Sequence, residues 1–230
     1  MLQKIKNAFY RKFKTSFAKS GIDLQLYQMF KQKSYGFYVD VGSHHPILTS
    51  NTFFFYLRKW EGICIDPNPE FVKLYKVKRP NDTFLNIGIS NSSEHEMNYY
   101  KLKDNLSERN SFSKEYIESH NLTPHVKEII PIKIKPLSKV LSEIDIPNTG
   151  IDFLTVDCEG LDLEVLMSND WNRFRPKIVI SETYGFLKED LYSPLVMYME
   201  SLGYILTGKT IQGQFVGILV FVDNSYERDS

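Results

Sequence analysis

The chain is predicted to be an α/β protein built on one open, mostly parallel sheet. Short β-forming apolar runs alternate with helical patterns along most of its length, the order that βαβ units produce. Three of those runs end in acids: Gly62-Ile63-Cys64-Ile65-Asp66, Phe153-Leu154-Thr155-Val156-Asp157 and Lys177-Ile178-Val179-Ile180-Ser181-Glu182; the first, Phe37-Tyr38-Val39-Asp40-Val41, carries Asp40 near its end. Ligands of such sheets bind in the crevice outside the carboxyl ends of the strands, so acids repeated there point to a site rather than to chance turn chemistry. Gly42 closes the first run after Val41, and a residue without a Cβ lets the backbone turn sharply and approach a ligand closely.

With 230 residues, 42% hydrophobic and 14% aromatic, the chain can bury one substantial core, and one main domain is expected. Lys plus Arg equals Asp plus Glu, 28 each, so no global charge argues for nucleic acid. No apolar run reaches membrane-spanning length and the start lacks the apolar core of a signal peptide. The chain therefore reads as cytoplasmic, and the glycosylation triplets at Asn91, Asn105 and Asn121 read as chance. Cys64 and Cys158 fall on strands expected to lie roughly 10 Å apart. That is beyond disulfide reach of about 7 Å, so both are expected as free thiols.

Residues 1–17 carry Leu2, Ile5, Phe9, Phe13 and Phe17 on one helical stripe, with Lys4, Arg11, Lys12 and Lys14 mostly opposite. Such a basic amphipathic helix packs on the domain, docks on a partner or lies on an anionic membrane surface. Residues 1–34 are read as this helical extension and 35–230 as the main domain. Gly21 is expected to end the first helix, and 22–31 to form a second. Ser50 is a suitable N-cap for a helix reaching about residue 59. A helix is expected over 71–78, and a third strand over 83–89 with Asn86 and Gly88 at its rim.

Residues 90–128 look like an insertion, with a hairpin strand near 97–102 and aromatics Tyr99, Tyr100, Phe112 and Tyr116 among polar residues. Segments of this length are usually functional lids or disordered; here the aromatics favour a binding role. A strand follows at 129–134, a helix at 137–144, and strands at 151–156 and 177–182. A helix over 192–202 and a closing hairpin of 203–207 with 214–222 complete the chain. Alternation along a strand places Asp157 and Glu159 on the same side. Asp66, roughly 20 residues past the glycine turn, suits a ribose diol, or serves as a turn residue before Pro67.

Asp40-Val41-Gly42-Ser43-His44-His45-Pro46, Ser50-Asn51-Thr52, Trp60-Glu61-Gly62-Ile63-Cys64-Ile65-Asp66-Pro67-Asn68-Pro69 and Ile151-Asp152-Phe153-Leu154-Thr155-Val156-Asp157-Cys158-Glu159-Gly160 together resemble the FkbM family of S-adenosylmethionine-dependent methyltransferases. The resemblance spans residues 35–222 and is to a His-His-Pro subgroup; many other methyltransferases have a second glycine where this chain has His45-Pro46. It implies a Rossmann-like class I methyltransferase fold with seven strands ordered 3-2-1-4-5-7-6 and strand 7 antiparallel. It further implies methyl transfer from S-adenosylmethionine to a hydroxyl, often of a sugar in a surface glycan or natural product. Asp40, Gly42 and Ser43 would border the methionine part of the cofactor, Asp66 the ribose and Asn86 the adenine. Ser50, Asn51, Asp157 and Glu159 complete the implied cofactor-binding set, and Asp157, Glu159 and Glu182 would line the transfer site.

A sugar hydroxyl is a poor nucleophile until a positioned base accepts its proton. Asp157 is the first candidate base, His44 the second, and Glu182 the third catalytic candidate. A magnesium or manganese ion on Asp157 and Glu182 is an alternative that would lower the hydroxyl's pKa directly. His45 reads as structural, Glu159 as a site residue or a helix cap, and His120 and His125 are too isolated for a metal site. A nicotinamide-dependent dehydrogenase would also use Asp66, but the first loop lacks the three-glycine fingerprint. A noncatalytic glycan- or partner-binding protein on the same scaffold remains the alternative, because fold does not establish function.

Overall fold

A computed structural model describes residues 6, 10 and 14–226. Its strands in chain order are β1 (Phe37–Val41), β2 (Glu61–Ile65), β3 (Thr83–Leu85), β4 (Gly88–Ile89) and β5 (Glu96–Leu102). They continue as β6 (Val126–Lys135), β7 (Phe153–Val156), β8 (Ile178–Thr183), β9 (Tyr204–Ile211) and β10 (Gly217–Asp223). The α-helices are α1 (Ile22–Met29), α2 (Phe53–Tyr56), α3 (Phe71–Lys78), α4 (Lys114–Ser119), α5 (Leu137–Ser142), α6 (Asp162–Met167), α7 (Leu187–Asp190) and α8 (Pro194–Ser201).

Seven strands form one sheet in the order β3-β2-β1-β7-β8-β10-β9. All neighbours run parallel except β10, which is antiparallel to both β8 and β9. Counting only this sheet's strands, the order is the 3-2-1-4-5-7-6 expected from the sequence, with the last strand reversed. The inner strand β1 is buried at all five positions, as a parallel strand covered on both faces must be. One face packs Val39, Val41, Ile63, Ile65, Leu154 and Val156 against α5, α6 and α8. The other packs Tyr38, Cys64, Phe153 and Ile180 against Ile22, Leu26, Phe30, Phe54 and Phe55. Both cysteines are free.

Several elements differ from the sequence expectation. The helix expected from Ser50 to about residue 59 is only the single turn α2, because the chain leaves helical geometry and passes through φ 67° at Lys59. The expected third strand over 83–89 breaks at residues 86–87: β3 stays in the main sheet, while β4 pairs with β6 in a second sheet ordered β4-β6-β5. Gly21, expected to close a helix, instead precedes α1 at φ 70°. The amphipathic helix placed on residues 1–17 lies largely outside the described residues. What is described before residue 35 is built into the domain, since Ile22, Leu26 and Phe30 are buried in its core.

The 90–128 segment is a packed unit rather than an open loop. Leu102, Tyr116, Ile117 and Leu122 form a core of their own, and Tyr99 packs on Phe112 with ring centres 4.9 Å apart. A Cβ on Gly88 would meet Phe112 at 2.5 Å, so β4 needs glycine for the second sheet to seat here. No helix among the described residues is long and apolar enough to cross a membrane.

Candidate active site

The carboxyl ends of β1, β2 and β7 are held in register by the ladder. Asp40 stands opposite Cys64 on one side and Thr155 on the other, and the chain leaves β1 through backbone bonds from Gly42 to the Ile65 carbonyl (2.9 Å) and from Asp157 to the Val41 carbonyl (3.0 Å). Gly42 has φ 79°, and a Cβ there would lie 1.8 Å from the Asp157 carbonyl oxygen. Any side chain at this position would push the first loop off β7, which is the physical reason for glycine after Val41.

Above this edge lies a cleft of about 970 Å³, part of it open to solvent, walled by the first loop, the ends of β2 and β7, and the 107–112 stretch of the second unit. Asp40, Gly42, Ser43, His44, Ser50, Asn51, Asp66, Asp157 and Glu159 all line it. The Ser43 hydroxyl and His44 Nδ1 are buried in this wall without a hydrogen-bond partner. Buried polar atoms are rarely left so, and these two offer a bound cofactor hydrogen bonds that the protein alone does not use.

Asp66 is buried at the end of β2, accepting from the His44 amide at 2.8 Å and the Asn68 amide at 2.8 Å. Burial raises its pKa from 3.8 to about 7, against the pull of those two amides. Asp40 is raised to about 6 for the same reason, with the Thr52 hydroxyl donating to it at 2.6 Å. Ser50 is committed to the fold, accepting from the Phe53 amide and from Arg79. Asn51 donates to the Thr155 hydroxyl at 3.2 Å. Asn86 is the cofactor candidate that does not reach the cleft: it donates to the Asp66 carbonyl at 2.9 Å and lines a separate small cavity with Leu85 and Ile144. The break after β3 turns it away from the place that an unbroken strand would have given it.

Asp157, Glu159 and Glu182 each bring one carboxylate oxygen within 4.8 Å of the others. Strand alternation is not what unites the first two, because β7 ends at Val156 and Glu159 stands at φ 50° in the following turn. Glu159 is not a helix cap either. It accepts from the hydroxyls of Tyr116 and Tyr184, and Tyr184 also contacts Glu182. A phenol has one proton, so the Tyr184 oxygen donates to one carboxyl and is a partner of the other only if that carboxyl is protonated. Burial raises the pKa of all three acids; Glu182 raises Asp157 further, Asp157 raises Glu159, and Glu159 raises Glu182. Three acids in one low-dielectric site cannot all ionise, so they share protons near neutral pH.

His44, the second candidate base, lines the same cleft at φ 44°. Burial lowers its pKa to about 4, so it is a neutral imidazole at neutral pH and a weaker proton acceptor than the acids. His45 is structural, as expected: its Nδ1 accepts from the Ile47 and Leu48 amides. Tyr184 was not singled out from the sequence, although Ser-Glu-Thr-Tyr at the end of β8 carried the signal, since alternation puts Glu182 and Tyr184 on one side. Tyr116, expected from the sequence as a binding aromatic of the insertion, is buried with its hydroxyl on Glu159.

A seven-stranded sheet of this order with its last strand reversed is the Rossmann-like methyltransferase fold. The methyltransferase FkbM domain model matches residues 40–206, and the chain belongs to that family of S-adenosylmethionine-dependent methyltransferases. No curated protein matches the chain. Among solved structures it is similar to a TehB-like SAM-dependent methyltransferase from Corynebacterium glutamicum, at 11% identity over 96% of this chain and 95% of that one, TM-score 0.45. It is also similar to a precorrin-6y C5,15-methyltransferase from Geobacter metallireducens, at 10% identity over 87% of each chain, TM-score 0.46. An O-methyltransferase from Bacillus cereus in complex with SAH gives 9% identity over 89% of this chain and 80% of that one, TM-score 0.42. These likenesses are distant, and membership rests on the family model.

Proposed function

We propose that the chain is an O-methyltransferase acting on a hydroxyl of a carbohydrate or similarly hydroxylated small molecule, such as a sugar of a surface glycan or natural product. The observation that carries this reading is the proton-sharing group of Asp157, Glu159 and Glu182 at the carboxyl edge of the sheet. A hydroxyl needs a base matched to neutral pH, and acids raised by burial and by one another supply one. S-adenosylmethionine, when bound, supplies an electrophilic methyl group on a sulfonium centre. Ser43, His44 and Asp66 would hold it, with Asp40 beneath them. Asp157 or its partner Glu182 accepts the acceptor's proton on a carboxylate oxygen, and Tyr184 orients the Glu182 carboxyl through their hydrogen bond.

A second reading is favoured by the same geometry. The three oxygens within 4.8 Å also suit a divalent cation, magnesium or manganese by ligand type, and such an ion would lower the hydroxyl's pKa directly. Incubation with S-adenosylmethionine and a panel of glycosides, scored by gain of one methyl and its NMR position, tests the main reading. Transfer to oxygen is expected, and transfer only to nitrogen or carbon would overturn it. Activity that survives chelator supports the direct base, whereas loss restored by magnesium or manganese replaces it with the metal reading.

A further inference from the structure

Of the aromatics expected to receive an acceptor, Tyr116 is buried with its hydroxyl on Glu159, whereas Tyr99 and Phe112 line the cleft from the second unit. Further exposed aromatic surface occurs at a different corner of the same edge. Phe186 and Leu187 are each 55% exposed and Phe215 is 45% exposed, and the Phe186 and Phe215 rings meet edge to face at 4.9 Å. Phe186 opens α7, two residues past Tyr184 and its acid group; Phe215 sits in the β9–β10 turn, three residues past Gln212, which lines the cleft.

This corner is held rigidly. The Lys209 side chain is 8% exposed and forms an ion pair at 2.6 Å with Asp190, itself 2% exposed. The same ammonium donates to the carbonyls of Gly185 and Phe215, so one buried cation ties the start of α7 to the β9–β10 turn. Thr183 donates to the other Asp190 oxygen, and a Cβ on Gly185 would lie 2.9 Å from that oxygen. A buried charge satisfied by three oxygens fixes geometry at this corner, and the geometry it fixes is that of the exposed Phe186–Phe215 ring pair.

We infer that Phe186, Leu187 and Phe215 form a subsite for an apolar body of the acceptor, so that the substrate is amphipathic, with an alkyl or aryl group attached near the hydroxyl to be methylated. This rests on the acceptor reading above and narrows its substrate class. Continuity with the site favours a group of the acceptor over a second protein: Phe186 lies two residues from Tyr184, whose hydroxyl contacts Glu159 and Glu182, and Phe215 three residues from Gln212 in the cleft wall. Two half-exposed phenylalanines and a half-exposed leucine offer on the order of 300 Å², enough for one alkyl or aryl group.

The test uses octyl β-D-glucopyranoside below its micelle concentration and methyl β-D-glucopyranoside as probes, with binding followed by saturation-transfer NMR on the full chain. The octyl glucoside is expected to bind at least about 10-fold more tightly, with saturation of its alkyl protons. Phe186→Ala and Phe215→Ala, both surface changes, should each remove most of that preference. Equal binding of the two glucosides, no binding of either, or a preference that both variants keep would overturn the subsite. A dimer in sedimentation that Phe186→Ala dissociates would overturn it in favour of self-association. Calorimetry with S-adenosylhomocysteine separates this from the underlying reading: no binding there refutes the cofactor site, while normal binding without an octyl preference refutes the apolar subsite alone.

Discussion

Asp82 and Asp157 are both carboxylates taken out of water beside the first strand, yet one faces a guanidinium and the other faces two more acids. Asp82 pairs with Arg79 at 2.6 Å, both side chains being fully buried. Arg79 also donates to Tyr38, Thr52, Ser50 and the Pro46 carbonyl, and Tyr38 donates back to Asp82. Burial pushes the Asp82 carboxyl up and Arg79 opposes it. Around Asp157, none of the ion pairs among the described residues involves any of the three acids, and burial and mutual repulsion act in the same direction. The first arrangement is finished within the protein and holds the loop after β1 in place. The second is left short of positive charge, which is costly for stability and useful for chemistry.

The sharpest way to break this contrast is to remove Arg79. Arg79→Met leaves Asp82 buried without its partner, and unpairing a buried ion pair costs roughly 3 to 5 kcal/mol. Urea unfolding should show that loss, with weakened cofactor binding because Pro46 and Ser50 lose their tie. A loss below about 1 kcal/mol would show that the hub does not carry the fold.

Asp157→Asn should do the reverse. It removes one acid from a like-charged group, so stability should hold or rise, while turnover falls about 100-fold or more and cofactor affinity changes little. A large drop in melting temperature would place Asp157 in the structural class instead. Asp66→Ala should weaken S-adenosylhomocysteine binding by roughly 1.5 to 3 kcal/mol in calorimetry, the cost of losing charge-assisted hydrogen bonds to a diol. Unchanged affinity would remove Asp66 from the cofactor site.

Most of the sheet was legible because its strands are short apolar runs bounded by Gly, Pro and acids; α3 was expected over the same residues it occupies, 71–78. The edge of the cleft was legible too, since Asp40, Gly42, Asp66 and Asp157 are fixed by adjacent strand ends and line it together. What was not legible depends on contacts distant in sequence. Asn86 looks like a strand residue until β4 leaves for the second sheet, and Tyr116 looks like a binding aromatic until α4 folds it onto Glu159, 43 residues further along the chain. The Arg79 hub has no local signal at all: it joins Tyr38, Pro46, Ser50, Thr52 and Asp82 only once α3 has packed.

The smallest expected effect is a pH dependence of stability, and its sign separates acids that the fold ionises from those that it protonates. Asp40 and Asp66 have ordinary values of 3.8 and are raised in the folded chain to about 6 and about 7 by burial. The folded state therefore holds their protons more tightly than the unfolded state does. Their stabilising contribution is complete below about pH 4 and is lost as pH rises through 6 to 7. Asp223, lowered by its contact with Arg175, acts oppositely, with stability present above its unfolded value and lost as pH falls through its folded one. The melting temperature should thus decline between about pH 4 and 7 if the buried edge dominates. Asp66→Asn, which cannot titrate, should flatten that decline relative to the parent chain. A slope of the same size in both proteins would mean that Asp66 is already ionised in the folded state, with the His44 and Asn68 amides outweighing its burial.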